Sequence, residues 1–187
     1  MRTAYIGMGG NLASKVGAPE DTLAAAVVRL ESLGRVTRRS SLYSTEPVGY
    51  ATQPRFVNAV VELETSLAPR DLLKALLAIE QEFGRDRAAG FANGPRTLDL
   101  DILLLDDLLI SEADLEIPHP RLADRAFVLV PMGEIAPHKV DARSGLTVSQ
   151  LLNALHKNAG KEADAVVPIQ TDVWRADAGP SVAGGGL

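Results

Sequence analysis

The stretch Gly94-Pro95-Arg96-Thr97-Leu98-Asp99-Leu100-Asp101-Ile102-Leu103-Leu104-Leu105 reads as one β-strand. Leu98, Leu100, Ile102 and Leu104 alternate onto one face, as a half-buried strand requires, and Asp99 and Asp101 share the other. Side chains two apart on a strand stand about 6.5–7 Å apart. At an effective dielectric of about 20, two carboxylates at that spacing repel by roughly 2.5 kcal/mol. Either water screens them on an open face, or a cation sits between them. Oxygen donors with no Cys or His beside them suit a hard ion, Mg²⁺ before Zn²⁺.

Working outward, Arg85 and Arg87 precede the strand and Arg96 opens it. Arginine forks match phosphate oxygens. Guanidiniums beside paired aspartates are the parts that phosphoryl transfer needs, although a solvated charged loop is the plainer alternative. Upstream, Phe56 to Thr65 alternates as a strand, with Val57, Ala59, Val61 and Leu63 facing one way and Phe56, Asn58, Val60 and Glu62 the other. An aromatic beside an amide suits a planar heterocycle, or a partly covered sheet face. Thr3 to Met8 is a further strand, and Gly7-Met8-Gly9-Gly10 after it reads as a tight turn or a close approach of backbone to ligand. It matches neither a Walker loop nor a dinucleotide fingerprint.

Helices are expected from Pro19 to Gly34 and from Pro69 to Gly84, with stripes Leu23, Val27, Leu30, Leu33 and Leu72, Leu76, Ile79, Phe83. Val36 to Thr45 reads as one strand, and residues 46–54 as a loop. Ala126 to Ile135 fits helix or strand. Thr147-Val148-Ser149-Gln150 is a capping-box pattern that starts a short helix. His119, between two prolines, is held by restricted backbone. The order strand, helix, strand, strand, helix, strand predicts an α+β fold: a ferredoxin-like βαββαβ core with an antiparallel-rich sheet, helices on one face, and extra C-terminal helices and tail. Residues 1–160 are expected to be one domain. Residues 161–187 are a tail, docked to about Trp174 and loose beyond it.

The 187 residues carry a net charge of −5, so a general affinity for nucleic acid is not expected. There are no cysteines, which excludes disulfides and thiol nucleophiles. No apolar run is long enough to cross a membrane. A cytoplasmic location is the expectation.

Five motifs in order carry a resemblance: residues 5–12, Ser41 to Gly49, Phe56-Val57-Asn58-Ala59, Gly94 to Asp101, and Pro118-His119-Pro120-Arg121. Together they closely resemble the 6-hydroxymethyl-7,8-dihydropterin pyrophosphokinase family of folate biosynthesis, over about residues 3–158. The resemblance implies transfer of pyrophosphate from ATP to the pterin hydroxymethyl group, with two Mg²⁺ held by Asp99 and Asp101. It implies Arg85 and Arg87 as catalytic arginines, and Glu80, Arg96, Ile102, His119 and Arg125 with them on the nucleotide. It implies Phe56 and Phe127 stacked on the pterin, Asn58 reading its edge, Thr45, Glu46 and Val48 as loop contacts, and Asp99 on the substrate as well as the metal. ATP and the reduced pterin are the implied partners of a monomer, with association with other folate enzymes left open. Ala92-Asn93 stands where members often carry Arg-Trp. A two-metal nucleotidyltransferase and a ferredoxin-like ligand sensor are the rival readings.

Overall fold

A computed structural model describes residues 1–49, 52–86, 94–159 and 166–175. Arg87, the Ala92-Asn93 pair and the last twelve residues therefore lie outside the described residues. The elements in chain order are β1 (Arg2–Gly10), α1 (Pro19–Leu30), β2 (Gly34–Arg39), β3 (Leu42–Thr45), β4 (Phe56–Thr65), α2 (Pro69–Glu82), β5 (Asp99–Leu105), β6 (Ile110–Glu112), β7 (Leu115–Ile117), α3 (Ala126–Ile135), α4 (Val148–Ala159) and β8 (Val167–Ile169).

The main sheet runs β5-β1-β4-β3-β8, with β2 also on β4, and its pairings are antiparallel. The strand predicted over 36–45 is two strands along the same edge of β4, parted at Ser40-Ser41. Taking them as one gives the ferredoxin-like βαββαβ core, with its fourth, first, third and second strands in that order across the sheet. The apolar stripes of α1 and α2 pack on Ala4, Ile6 and Met8 of β1 and Val57, Ala59, Val61 and Leu63 of β4.

The other face is closed at one end only. Tyr5, Val60, Leu103 and Leu104 lie under Val128, Leu129, Met132 and Ile135 of α3, and under Val148 and Leu151 of α4. The segment whose periodicity fitted helix or strand is thus a helix, with Pro131 inside it. Pro131 removes only the N–H that would bond the Phe127 carbonyl. The start of α4 carries the expected capping box: Gln150 N–H donates to Thr147 Oγ1 at 3.2 Å, and Thr147 N–H donates to Gln150 Oε1 at 2.8 Å.

Two sequence expectations change here. Leu104 does not share a face with Leu98, Leu100 and Ile102. Ile6 pairs Ile102 but Tyr5 pairs Leu104, so Leu103 is an extra residue and the alternation flips there. Nor do Gly7, Gly9 and Gly10 form a turn, since they continue β1 between β4 and β5. Their role is close approach. A Cβ on Gly9 would stand 2.7 Å from Asn58 Oδ1, and one on Gly10 would stand 2.4 Å from the Thr97 carbonyl oxygen.

Gly10→Ala is expected to destabilise the fold by about 1–3 kcal/mol, because its neighbour is backbone and cannot swing aside. Urea unfolding midpoints of the two proteins would show it, and equal midpoints would contradict the close fit.

Candidate active site

Sheet register assembles the site. Gly9 pairs Asp99 on one side and Asn58 on the other, and Gly7 pairs Asp101 and Val60. Directly paired residues share a face. Asp99, Asp101 and Asn58 therefore line up across two central glycines, on the end of the face that α3 leaves uncovered. The glycines keep the floor flat where side chains would otherwise stand.

Three adjoining clefts open from that floor. The first is lined by Thr45, Glu46, Val48, Phe56, Asn58 and Phe127, with Arg96, Arg121 and Arg125. Six of the seven residues expected on the pterin thus meet in one place, and the seventh, Asp99, lines the second cleft. Asn58 Nδ2 donates to Thr45 Oγ1 at 2.7 Å, with both side chains buried. The second cleft brings Asp99 and Asp101 together with Asn58, Arg96, Arg125 and Phe127. The third lies along the sheet edge, lined by Leu73 and Leu77 of α2, Asp101, Ile102, the β6–β7 hairpin and His119. Asp101 borders both the second and the third.

Cations crowd the carboxylates. Arg96 Nε lies 3.0 Å from Asp99 Oδ2, and an Arg85 guanidinium nitrogen lies 3.6 Å from Oδ1. The Arg96 guanidinium also stacks on the Phe56 ring at 4.7 Å. Arg125 lies over the Phe127 ring at 5.4 Å, and its Nε is buried with no hydrogen-bond acceptor among the described residues. Burial first, then the neighbouring Arg121 charge, holds Arg125 below its ordinary pKa. An anion here would relieve both the missing bond and the crowding.

Glu80 is not brought to any of these clefts. It is fully buried in α2, and its Oε1 accepts the N–H of Leu100 at 2.8 Å. The residue it holds stands between the two aspartates. Two residues were given no role in the sequence reading. Arg121, which lines the first cleft, stands in the Pro-His-Pro-Arg motif that was already in view, so the signal was there. Asn11, in the motif of residues 5–12, is 5% exposed and makes three bonds to two segments: Arg96 N–H donates to its Oδ1, and its Nδ2 donates to Gln53 Oε1 and the Pro54 carbonyl.

The family model for 7,8-dihydro-6-hydroxymethylpterin-pyrophosphokinase (HPPK) matches residues 5–137. The chain belongs to the HPPK family. A 2-amino-4-hydroxy-6-hydroxymethyldihydropteridine pyrophosphokinase from Synechocystis is 46% identical over 151 residues, 80% of this chain and 74% of that one. The Pseudomonas aeruginosa protein of the same name is 46% identical over 139 residues, 73% and 82% of the two chains. Among solved structures, the HPPK-DHPS of Plasmodium falciparum with pteroate superposes with a TM-score of 0.70 at 14% identity. That match covers 91% of this chain and 48% of the other, so the chain spans about half of that protein, and the likeness speaks for the fold. HPPK enzymes transfer pyrophosphate from ATP to hydroxymethyldihydropterin in folate biosynthesis. Among the described residues no helix is long and apolar enough to cross a membrane.

In this HPPK chain His119 is held at three points. Its N–H donates to the carbonyl of Leu103, the bulge residue of β5, at 2.9 Å. Its Nδ1 accepts the Arg121 N–H at 3.0 Å, which leaves the proton of the neutral ring on Nε2. Arg143 donates to the carbonyl of the preceding Pro118 at 2.8 Å. Burial first, then Arg125 and Arg121, pushes the imidazole pKa down to about 4. The ring is therefore a neutral Nε2–H donor at neutral pH.

A depressed histidine pKa makes the unfolded chain bind more protons between about pH 6.5 and 4, so this contribution to stability is complete above about 6.5 and is lost as pH falls towards 4. His119→Asn should lose less stability than the parent between pH 7 and 4.5 in urea unfolding. Parallel losses in the two proteins would show that His119 does not titrate this way.

Proposed function

We propose that the cleft between Phe56 and Phe127 holds the reduced pterin, the cleft along Ile102 and His119 holds ATP, and Asp99 and Asp101 hold two Mg²⁺ where the clefts meet. The observation that carries this reading is Asp101, which borders the Ile102–His119 cleft and the carboxylate cleft, while the carboxylate cleft shares Asn58, Arg96, Arg125 and Phe127 with the pterin cleft. Chemistry between two substrates needs one shared wall.

The donor set fits Mg²⁺. Asp99 and Asp101 offer hard oxygens on one face, and no group of three or more His, Cys, Asp or Glu side chains is gathered for a metal among the described residues. Mg²⁺ is commonly held by one or two carboxylates, with phosphate oxygens and water completing the shell. Bound there, it supplies positive charge to the phosphates and favours loss of the hydroxyl proton.

The chain's own residues do the rest. Phe56 and Phe127 offer ring faces to the heterocycle, and the buried Asn58 amide offers its edge a polar contact. The hydroxymethyl oxygen attacks the β-phosphorus in line. A bond from oxygen to Pβ forms, the bond from Pβ to the bridging α-oxygen breaks, and AMP leaves while the hydroxyl proton is lost to solvent. Arg85, Arg96, Arg121 and Arg125 offer charge to the phosphate oxygens, and neutral His119 offers Nε2–H to the nucleotide. Asp99 and Asp101 would hold the metal, and Arg85 and Arg96, now beside Asp99, would then be in reach of the phosphate oxygens. Arg87 has the same proposed role from outside the described residues. No protein nucleophile is required. The proposed enzyme acts as a monomer, and the family supports a cytoplasmic enzyme.

With ATP, Mg²⁺ and reduced hydroxymethylpterin, AMP should appear only when the pterin is present. Release of pyrophosphate would favour a nucleotidyltransferase instead. Asp99→Asn and Asp101→Asn should each lower kcat by about 10²–10⁴-fold, a range typical of lost electrostatic stabilisation, with circular dichroism unchanged. Near-normal turnover in both would remove the pair from the chemistry.

A further inference from the structure

Residues 166–175 have no part in the chemistry above, and the family match ends at residue 137. Yet they are built into the site. β8 pairs β3 along its free edge, with Ser44 opposite Val167, Tyr43 opposite Pro168 and Leu42 opposite Ile169. Five residues on, Trp174 is 7% exposed in the same core as Leu42, and its Nε1 donates to the Ser40 carbonyl at 2.8 Å. Ser40 is fully buried at the break between β2 and β3. Trp174 therefore latches the segment where the edge strand is interrupted.

The segment it holds leads into the heterocycle cleft. β3 ends in Thr45, whose Oγ1 accepts the Asn58 amide, and the wall continues through Glu46 and Val48. Val166, just before β8, lines a cavity with Thr45, Glu46, Val48 and Phe127 that adjoins this cleft. The nucleotide cleft is walled by α2, β5 and the β6–β7 hairpin instead. β3 has only four residues, and a strand that short is weakly fixed by one partner alone. Its other supports are the β4 ladder, Arg55, whose Nε donates to Ser44 Oγ at 2.7 Å, and Glu134 of α3. The Glu134 carboxylate accepts the Ser41 N–H and hydroxyl at 2.8 and 2.9 Å and the Tyr43 hydroxyl at 3.0 Å.

We propose that residues 166–175 are a strap that positions the Thr45–Val48 wall and sets affinity for the pterin substrate independently of the nucleotide. This rests on placing the pterin between Phe56 and Phe127. Trp174 and Val166 are positioning residues, acting through β3 and through the side wall of the cleft.

The test uses the full-length protein and steady-state kinetics for both substrates. Trp174→Ala should raise KM for the pterin at least about fivefold, leave KM for ATP within about twofold, and change kcat less than the pterin KM, the pattern of lost binding to one substrate. Trp174→Phe keeps the ring and should recover most of the loss. If Trp174→Ala does not fold, Val166→Ser decides. Trp174 is the only tryptophan, so an unchanged emission maximum certifies that the strap is still docked, and the pterin KM should rise alone. An equal rise in both KM values, or no rise in the folded variants, overturns the proposal. Asn58→Ala separates the two readings. A raised pterin KM there, with silent strap variants, removes the strap and keeps the site. An unchanged pterin KM in Asn58→Ala removes the placement of the pterin itself.

Discussion

Two like charges on one face of an edge strand push apart, and much of this structure serves to hold them. Glu80 reaches from α2 to take the Leu100 N–H between the aspartates. Arg85 and Arg96 close on Asp99, and Gly7 and Gly9 leave the neighbouring strand bare on that face. A fully buried carboxylate is expensive to desolvate unless its hydrogen bonds are good. A buried carboxylate on the Leu100 N–H fixes β5 closely against α2. The same crowding explains why the site is positive within a chain of net charge −5. Cations gather on the carboxylates, while burial first and then those same cations keep His119 neutral.

Much of this was legible in the sequence where period-two alternation held. Asp99 with Asp101, and Phe56 with Asn58, were assigned to the correct faces because nothing interrupts β4 or the first half of β5. The reading failed at Leu103, since a single inserted residue reverses every later side chain and leaves no mark in an apolar run. It failed again at Gly7 to Gly10, where small residues signalled both a turn and a flat strand, and only the partner strands distinguish them.

Depth was not legible. The resemblance put Glu80 near the nucleotide, and the fold adds that its carboxylate is fully buried and accepts the Leu100 N–H. Ala126 to Ile135 could not be assigned by periodicity because nearly all of it is apolar, so the cover over half of the second face came only with the fold. The β6–β7 hairpin and β8 are three residues per strand, too short for any pattern to register.

Asn11 touches neither proposed substrate, yet one amide group joins the end of β1 to both rims of the heterocycle cleft, through Gln53 and Pro54 on one side and Arg96 on the other. The two rims are therefore geared together. Widening the mouth means breaking at least one of these bonds, at about 1 kcal/mol each. The resting gape of the entrance is set at this hub, so a change there would alter how readily the mouth opens without altering what it grips.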